Sequence, residues 1–214
     1  RPVRGDPGRA GAADEPALAS GRVVVAHLGN GASMCAIAGG RSVATTMSFS
    51  PLDGLTMGTR CGRLDAAVVL HLIDHHGMDT AAVSDLLHKQ SGLLGLSDLS
   101  ADMRTLRVST EPAAQAAIAL FIHRLVREAG AVVAVLGGVQ VLAFTGGIGE
   151  HDALLRAEAC RALGFLGITL DEAKVSAKMA EAAGCDAVSV SAYANTSTGV
   201  AFTEAPLVQQ KAGF

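Results

Sequence analysis

The chain has 214 residues, half of them hydrophobic, with a formal charge of −3, one Tyr, no Trp and six Phe. So slight a charge and so few aromatics exclude the basic face and stacking platforms of a nucleic-acid binder, and no apolar run reaches the roughly 20 residues of a membrane span. The length suits one large domain or two small ones around an aliphatic core. Cys35, Cys61, Cys160 and Cys185 are scattered, with no C-x-x-C pair, which reads as the reduced thiols of a cytoplasmic protein.

Residues 1–21 are rich in Arg, Gly, Ala and Pro without periodicity and read as a poorly ordered lead-in. They lack the apolar stretch of a secretory signal, and a chain opening on Arg reads as the C-terminal part of something longer. Arg22–His27, Ala32–Ile37 and Ser42–Met47 then read as three short strands, with Gly39-Gly40 as a hairpin signal between the last two. Ser48 to Gly62 is loop. Helical pattern is expected from about Leu64 to Asp74 and from Thr80 to Lys89, and a short helix from Ser100 to Leu106, entered through Ser97 or Ser100. From Glu111 to Leu136, Ile118, Ile122, Leu125, Ala129, Val132 and Leu136 recur at steps of three and four, a long core helix with Pro112 in its first turn. A strand is expected over Val139–Phe144 and a helix over Glu150–Leu163, closed by Gly164. A helix from Asp171 to Ala183 and a strand over Ala187–Ala192 complete the series. A meander followed by helices alternating with strands predicts an α/β fold, a mixed sheet flanked by helices.

Two glycine-rich turns stand out. His27-Leu28-Gly29-Asn30-Gly31 follows the apolar run Val23 to Ala26, and Gly146-Gly147-Ile148-Gly149-Glu150 follows Val139 to Phe144. Glycines at a strand end let the backbone approach a ligand closely with N–H groups turned outward. Two such turns read as one site that grips a single ligand at two places, the phosphates and the nucleoside of a nucleotide. Other candidates carry less. His71 and His75 are one helical turn apart, with Asp74 and His76 beside them, but no further ligand lies at a telling spacing, and a solvated face is the reading. Cys61 lies next to Arg60, a cation that would lower its pKa, with no base near it in sequence. Leu86, Leu87, Leu93 and Leu94 read as packing residues.

AHLGNGAS, SFSPLDGLTMGTRCG and LD within Val23–Asp65, SGLLGLSDLSADMR (Ser91–Arg104) and FTGGIGE (Phe144–Glu150) closely resemble the acetate kinase (acetate/propionate kinase) family, in that family's order. The resemblance runs from Gly21 to about Ala192. It implies a ribonuclease-H-like lobe of the actin, Hsp70 and sugar-kinase superfamily over residues 22–205, with a tail over 206–214. It also implies reversible transfer of the γ-phosphate of ATP to acetate or propionate, with ATP or ADP and Mg²⁺ as cofactors and homodimers formed through C-terminal lobes. By matching position, His27, Leu28, Gly29, Asn30 and Gly31 resemble the phosphate-binding turn, with the Asn30 amide meeting the phosphate or its metal. Asp102, Met103 and Arg104 resemble the segment that holds the adenosine, and Gly146, Gly147, Ile148, Gly149 and Glu150 the opposite wall. Arg60 resembles the arginine that neutralises charge on the phosphoryl group in flight.

The departures bear on activity. Family members carry an N-terminal lobe with a metal-site asparagine, a substrate arginine, a catalytic aspartate and a phosphate-stabilising histidine, and residues 1–21 match none of them. Ala194-Asn195-Thr196-Ser197 stands where the family has Thr-Asn-Glu-Glu, so the glutamate that helps hold Mg²⁺ has no counterpart. Ala44, Ser48 and His151 replace the family's usual Asp, Gly and Asn. The expected function is acetate kinase-type phosphotransfer. The alternatives are a truncated or degenerate nucleotide-binding fragment with little or no catalysis, and an interaction module that uses the dimer surface.

Overall fold

In the computed structural model, which describes residues 21–168 and 192–194, alternating apolar side chains build a sheet with two faces. Strands β1 (Arg22–Leu28), β2 (Ala32–Ala38) and β3 (Arg41–Thr45) form an antiparallel meander. Strand β4 (Val141–Thr145) adds parallel to β1, and β5 (Ala192–Ala194) antiparallel to β4, so the order is β3-β2-β1-β4-β5. Val24, Ala26 and Leu28 of β1 join Ala32, Met34 and Ala36 of β2 and Leu142 and Phe144 of β4 in the main core. Val23, Ile37 and Val141 pack together in a separate small cluster. The two clusters follow the period of two along a strand.

Helix α1 (Ala66–Asp74) is capped by Asp65 and buries no residue, while α2 (Thr80–Lys89), capped by Asp79, buries only Val83. Helix α3 (Gly92–Ser97) and α4 (Met103–Val108) are short, and α5 (Pro112–Leu136) is the central helix. Helix α5 presses Ile118, Phe121, Leu125, Ala129 and Val132 onto the sheet, with Pro112 at its start and Gly137 (φ 68°) closing it. Then follow α6 (Gly146–His151), α7 (Ala153–Ala162) and a 3₁₀ turn over Gly164–Leu166. No helix among the described residues is long and apolar enough to cross a membrane.

The pattern-based elements recur with shifts that have physical causes. β3 ends at Thr45 rather than Met47: Thr46 N still donates to Met34 O (3.0 Å), but Met34 N donates to the Thr46 hydroxyl (2.8 Å) in place of a backbone carbonyl. The expected helix from Glu150 begins four residues earlier at Gly146 and breaks at Asp152, whose carboxylate turns to cap Leu155 N (2.8 Å). It ends at Ala162 with Leu163 as its C-cap, just before the expected Gly164, which opens the 3₁₀ turn that Gly167 (φ 81°) closes. Helix α4 is capped by Asp102, because the Ser97 hydroxyl is buried and donates to Leu93 O (2.7 Å). Helix α3 was not foreseen: two glycines in six residues disfavour a helix, and it stands because Leu93 and Leu94 donate to Met57 O and Gly58 O across the chain (2.8 and 2.9 Å). The helix expected over Asp171–Ala183 lies outside the described residues, as does the late strand except Ala192, where β5 starts.

Candidate functional site

Because β1 and β4 are parallel neighbours with His27 beside Thr145, both glycine turns leave the same edge of the sheet, at the carboxyl ends of the strands. That edge is where open α/β sheets place ligands. Gly146 has φ 78°, and a Cβ there would lie 2.7 Å from Leu28 O, so a side chain would be both strained and blocked by backbone. The second turn therefore leans directly on the first. His27 Nδ1 and Thr145 Oγ1 stand 3.1 Å apart and link the strand ends from the other face.

The first turn is held by the loop that carries Arg60. Gly29 N donates within the turn to Gly31 O (3.0 Å), and Gly58 N donates to Asn30 O (2.9 Å). A Cβ at Gly58 would fall on Asn30 Oδ1, so glycine is what allows this approach. A Cβ at Gly31 would sit 3.1 Å from Arg60 Nη1, which puts the guanidinium against the turn. Arg60 Nη1 donates to Pro51 O (3.2 Å), and among the described residues no carboxylate pairs with Arg60. A half-buried guanidinium with donors to spare, beside a glycine turn, suits an anion with tetrahedral oxygens.

The segment before α4 borders the same place, since Ala101 O lies 3.3 Å from the Cβ position of Gly58. Asp102 accepts from Arg104 N (2.9 Å) and pairs with Arg104 Nη2 (2.6 Å) on the solvent side. The hydrogen bond from the Arg104 side chain holds the Asp102 carboxyl below its usual range. Met103 points inward and is 3% exposed, so it anchors the segment in the core.

In the second turn Gly147 is exposed, Ile148 packs against the core and Gly149 is buried. Glu150 folds back so that Oε1 accepts from Gly146 N (3.1 Å), and that N–H is turned inward to its own carboxylate. Sequence reasoning missed Arg156, which is 4% exposed and donates from Nη1 to Gly149 O (2.8 Å) and Glu150 O (2.7 Å). Its only sequence signal was a spacing of about two helical turns from the glycine motif. It missed Arg107 as well, whose Nε donates to Asp152 Oδ2 (3.0 Å) and whose Nη2 donates to Glu158 Oε2 (2.7 Å). Both are ordinary surface-type arginines on a composition count and acquire a role only through long-range contacts.

The described carboxylates near the site do not fit a protein-held Mg²⁺. Asp102 is engaged by Arg104, Glu150 by Gly146 N and Asp53 by Ser48 and Gly54, and among the described residues no three His, Cys, Asp or Glu group to hold a metal. Hard cations of this kind need several oxygen ligands. The imidazoles of His71 in α1 and of His75 and His76 just after it cluster on an exposed surface, His71 with ring centroids 4.8 Å from His75 and 5.1 Å from His76. For Cys61 the expected depression by Arg60 is overturned: burial pushes the thiol up, and Asp53 adds to the rise. Cys160 is fully buried, which pushes its thiol up to about 12.

The Acetokinase family profile matches residues 13–204. Acetate kinase of Rhodopseudomonas palustris (strain TIE-1) is 56% identical over 155 residues, covering 72% of this chain and 39% of that protein. Acetate kinase 2 of Neisseria meningitidis is 46% identical over 153 residues, covering 70% and 38%. Among solved structures, acetate kinase of Porphyromonas gingivalis superposes with TM-score 0.72 at 36% identity, over 74% of this chain and 40% of that one. A propionate kinase from Francisella tularensis superposes with TM-score 0.70 at 37% identity, over 74% and 42%. The chain thus spans about two fifths of the length of these relatives.

Proposed function

The chain belongs to the acetokinase family, and on that premise we propose that residues 22–205 form the nucleotide-binding lobe of an ATP-dependent phosphotransferase with a carboxylate acceptor. The reaction moves the γ-phosphate of ATP to acetate or propionate and back. The observation that carries this reading is the meeting, on one sheet edge, of the first glycine turn, the second glycine turn and the Arg60 guanidinium, 3.1 Å from the Cβ position of Gly31.

Phosphoryl transfer asks a protein mainly for positioning and charge neutralisation. His27 to Gly31 line the phosphates, with Asn30 fixed by Gly58 behind it. Arg60 lays two parallel N–H donors along the equatorial oxygens of the group in flight, where charge spreads. Asp102, Met103 and Arg104 on one side and Gly146 to Glu150 on the other enclose the adenosine. No step is assigned to Mg²⁺, because the described residues do not hold it. A cytoplasmic homodimer belongs to the same reading; free Cys35, Cys61 and Cys160 and the exposed Val68 and Leu70 of α1 support it.

Titration with a fluorescent ADP analogue tests the site: saturable binding displaced by ATP is expected, and its absence would overturn the reading. A second reading, nucleotide binding with little or no turnover, is favoured by Asp102, Glu150 and Asp53 all being engaged by protein groups. Acyl phosphate formation at saturating ATP with acetate or propionate separates the two.

A further inference from the structure

Helix α4 opens with the residues assigned to the adenosine and has only six residues, too few to hold its own place. Two anchors locate it. On one face Met103 and Leu106 are buried in the main core. On the other, one turn beyond Arg104, Arg107 reaches into a partly enclosed site where its side chain is 19% exposed. Its Nε donates to Asp152 Oδ2 (3.0 Å), Nη2 to Glu158 Oε2 (2.7 Å) and Nη1 to Glu158 Oε1 (3.4 Å).

Asp152 is a structural junction. Its N–H donates to Ile148 O (2.9 Å) and ends α6, while its Oδ1 accepts from Leu155 N (2.8 Å) and starts α7. One guanidinium therefore fastens the helix of one adenosine wall to the joint that ends the other, 45 residues away in sequence. Exposed ion pairs contribute little. This one is different in kind: the Asp152 side chain is 14% exposed, and the fork meets two carboxylates at once. Arg156 then completes the support of the second wall, donating to the carbonyls of Gly149 and Glu150.

We propose that Arg107 is a positioning residue that sets the spacing of the two adenosine-binding walls through Asp152 and Glu158, and so sets affinity for the nucleoside part of the ligand without touching it. The proposal rests on the nucleotide-site reading above. It separates the adenosine walls, which depend on Arg107, from the phosphate turn, which is held by Gly58 and Arg60.

The test compares ADP with inorganic tripolyphosphate, which lacks the nucleoside, by calorimetric titration of the full chain. Arg107→Met is expected to weaken ADP by on the order of tenfold to a hundredfold and to leave tripolyphosphate within about twofold. Asp152→Asn keeps a good helix cap while removing the charge; it is expected to act in the same direction, and the double variant to be no worse than the stronger single one, as coupled residues require. Should Arg107→Met not fold, Asp152→Asn and Glu158→Gln carry the same comparison. Equal ADP binding by the parent and the variants overturns the proposal and leaves the nucleotide site standing. Parallel weakening of ADP and tripolyphosphate overturns it too, since that is general loosening. A parent chain that binds no ADP removes the nucleotide-site reading and this proposal together.

Discussion

The two glycine turns start alike, each at the carboxyl end of one of two parallel neighbours, and are then supported by different kinds of group. The first is held by backbone, through Gly58 N on Asn30 O, with the Arg60 guanidinium beside Gly31. The second is held by buried and half-buried charge, Arg156 on the carbonyls of Gly149 and Glu150 and Arg107 on Asp152. The difference matches the roles proposed for the two turns. A phosphate turn needs free donors facing the ligand, so its support comes from groups without competing carboxylates. A nucleoside wall needs shape, and the ion pairs and buried arginine that hold it fix shape.

The largest expected effect separates chemistry from support. Arg60→Ala should lower acyl phosphate formation by about 10³–10⁵, with little change in melting temperature, because Arg60 has no ion pair to lose among the described residues. A fall of under tenfold in rate would take Arg60 out of the chemistry. Next, Gly146→Ala adds a strained φ and a clash with Leu28 O, and should cost about 2–4 kcal/mol in denaturant unfolding. Gly147→Ala, with nothing within 4 Å of its Cβ position, should be close to neutral. Equal effects at the two sites would show that the turns do not abut.

Arg156→Met leaves two carbonyls of the second turn without their charged donor and should cost about 2–3 kcal/mol of stability. Cys160 tests the depth of the core beneath that turn. Its thiol is raised from 9.0 to about 12 by burial, so between those values the thiol stays neutral in the folded chain and ionises in the unfolded one. The stability it contributes is complete below pH 9 and is lost as pH rises toward 12, where unfolded thiol ionises and folded thiol does not. Melting temperature should therefore fall less steeply over that range in Cys160→Ala than in the parent. The smallest effect is at Asp102, whose carboxyl is lowered by Arg104. Its contribution is present above the ordinary carboxylate value and is lost as pH falls through the lowered one. Asp102→Asn keeps the cap and should flatten the acid limb of the stability profile only slightly, since Arg104 is exposed and screened by water.

Much of this was legible along the chain because it rests on local rules. The strands of the meander, the 25-residue helix with Pro112 at its start, and the approximate extents of α1 and α2 follow from periodicity, while their caps, Asp65 and Asp79, came from the structure. Both glycine turns were visible as punctuation at strand ends. Helix α3 was not, because GLLGLS is a poor helix by propensity and is held by the carbonyls of Met57 and Gly58. Cys61 was misjudged for a related reason: adjacency to Arg60 in sequence counted for less than burial and Asp53 in space. Arg107 and Arg156 were silent, since a buried arginine and an exposed one are the same letter until the fold decides which it is.

Sequence by itself settled the alternation of strands and helices, the positions of the glycines and the family to which they belong, all of which depend on neighbours within a few residues or on long distinctive motifs. Only the tertiary structure decided that β1 and β4 run side by side, so that turns more than a hundred residues apart share one edge. It also decided which arginine lies beside the first glycine turn and which ones brace the second. Those choices follow from burial and from hydrogen bonds across long separations, and no local pattern carries that information.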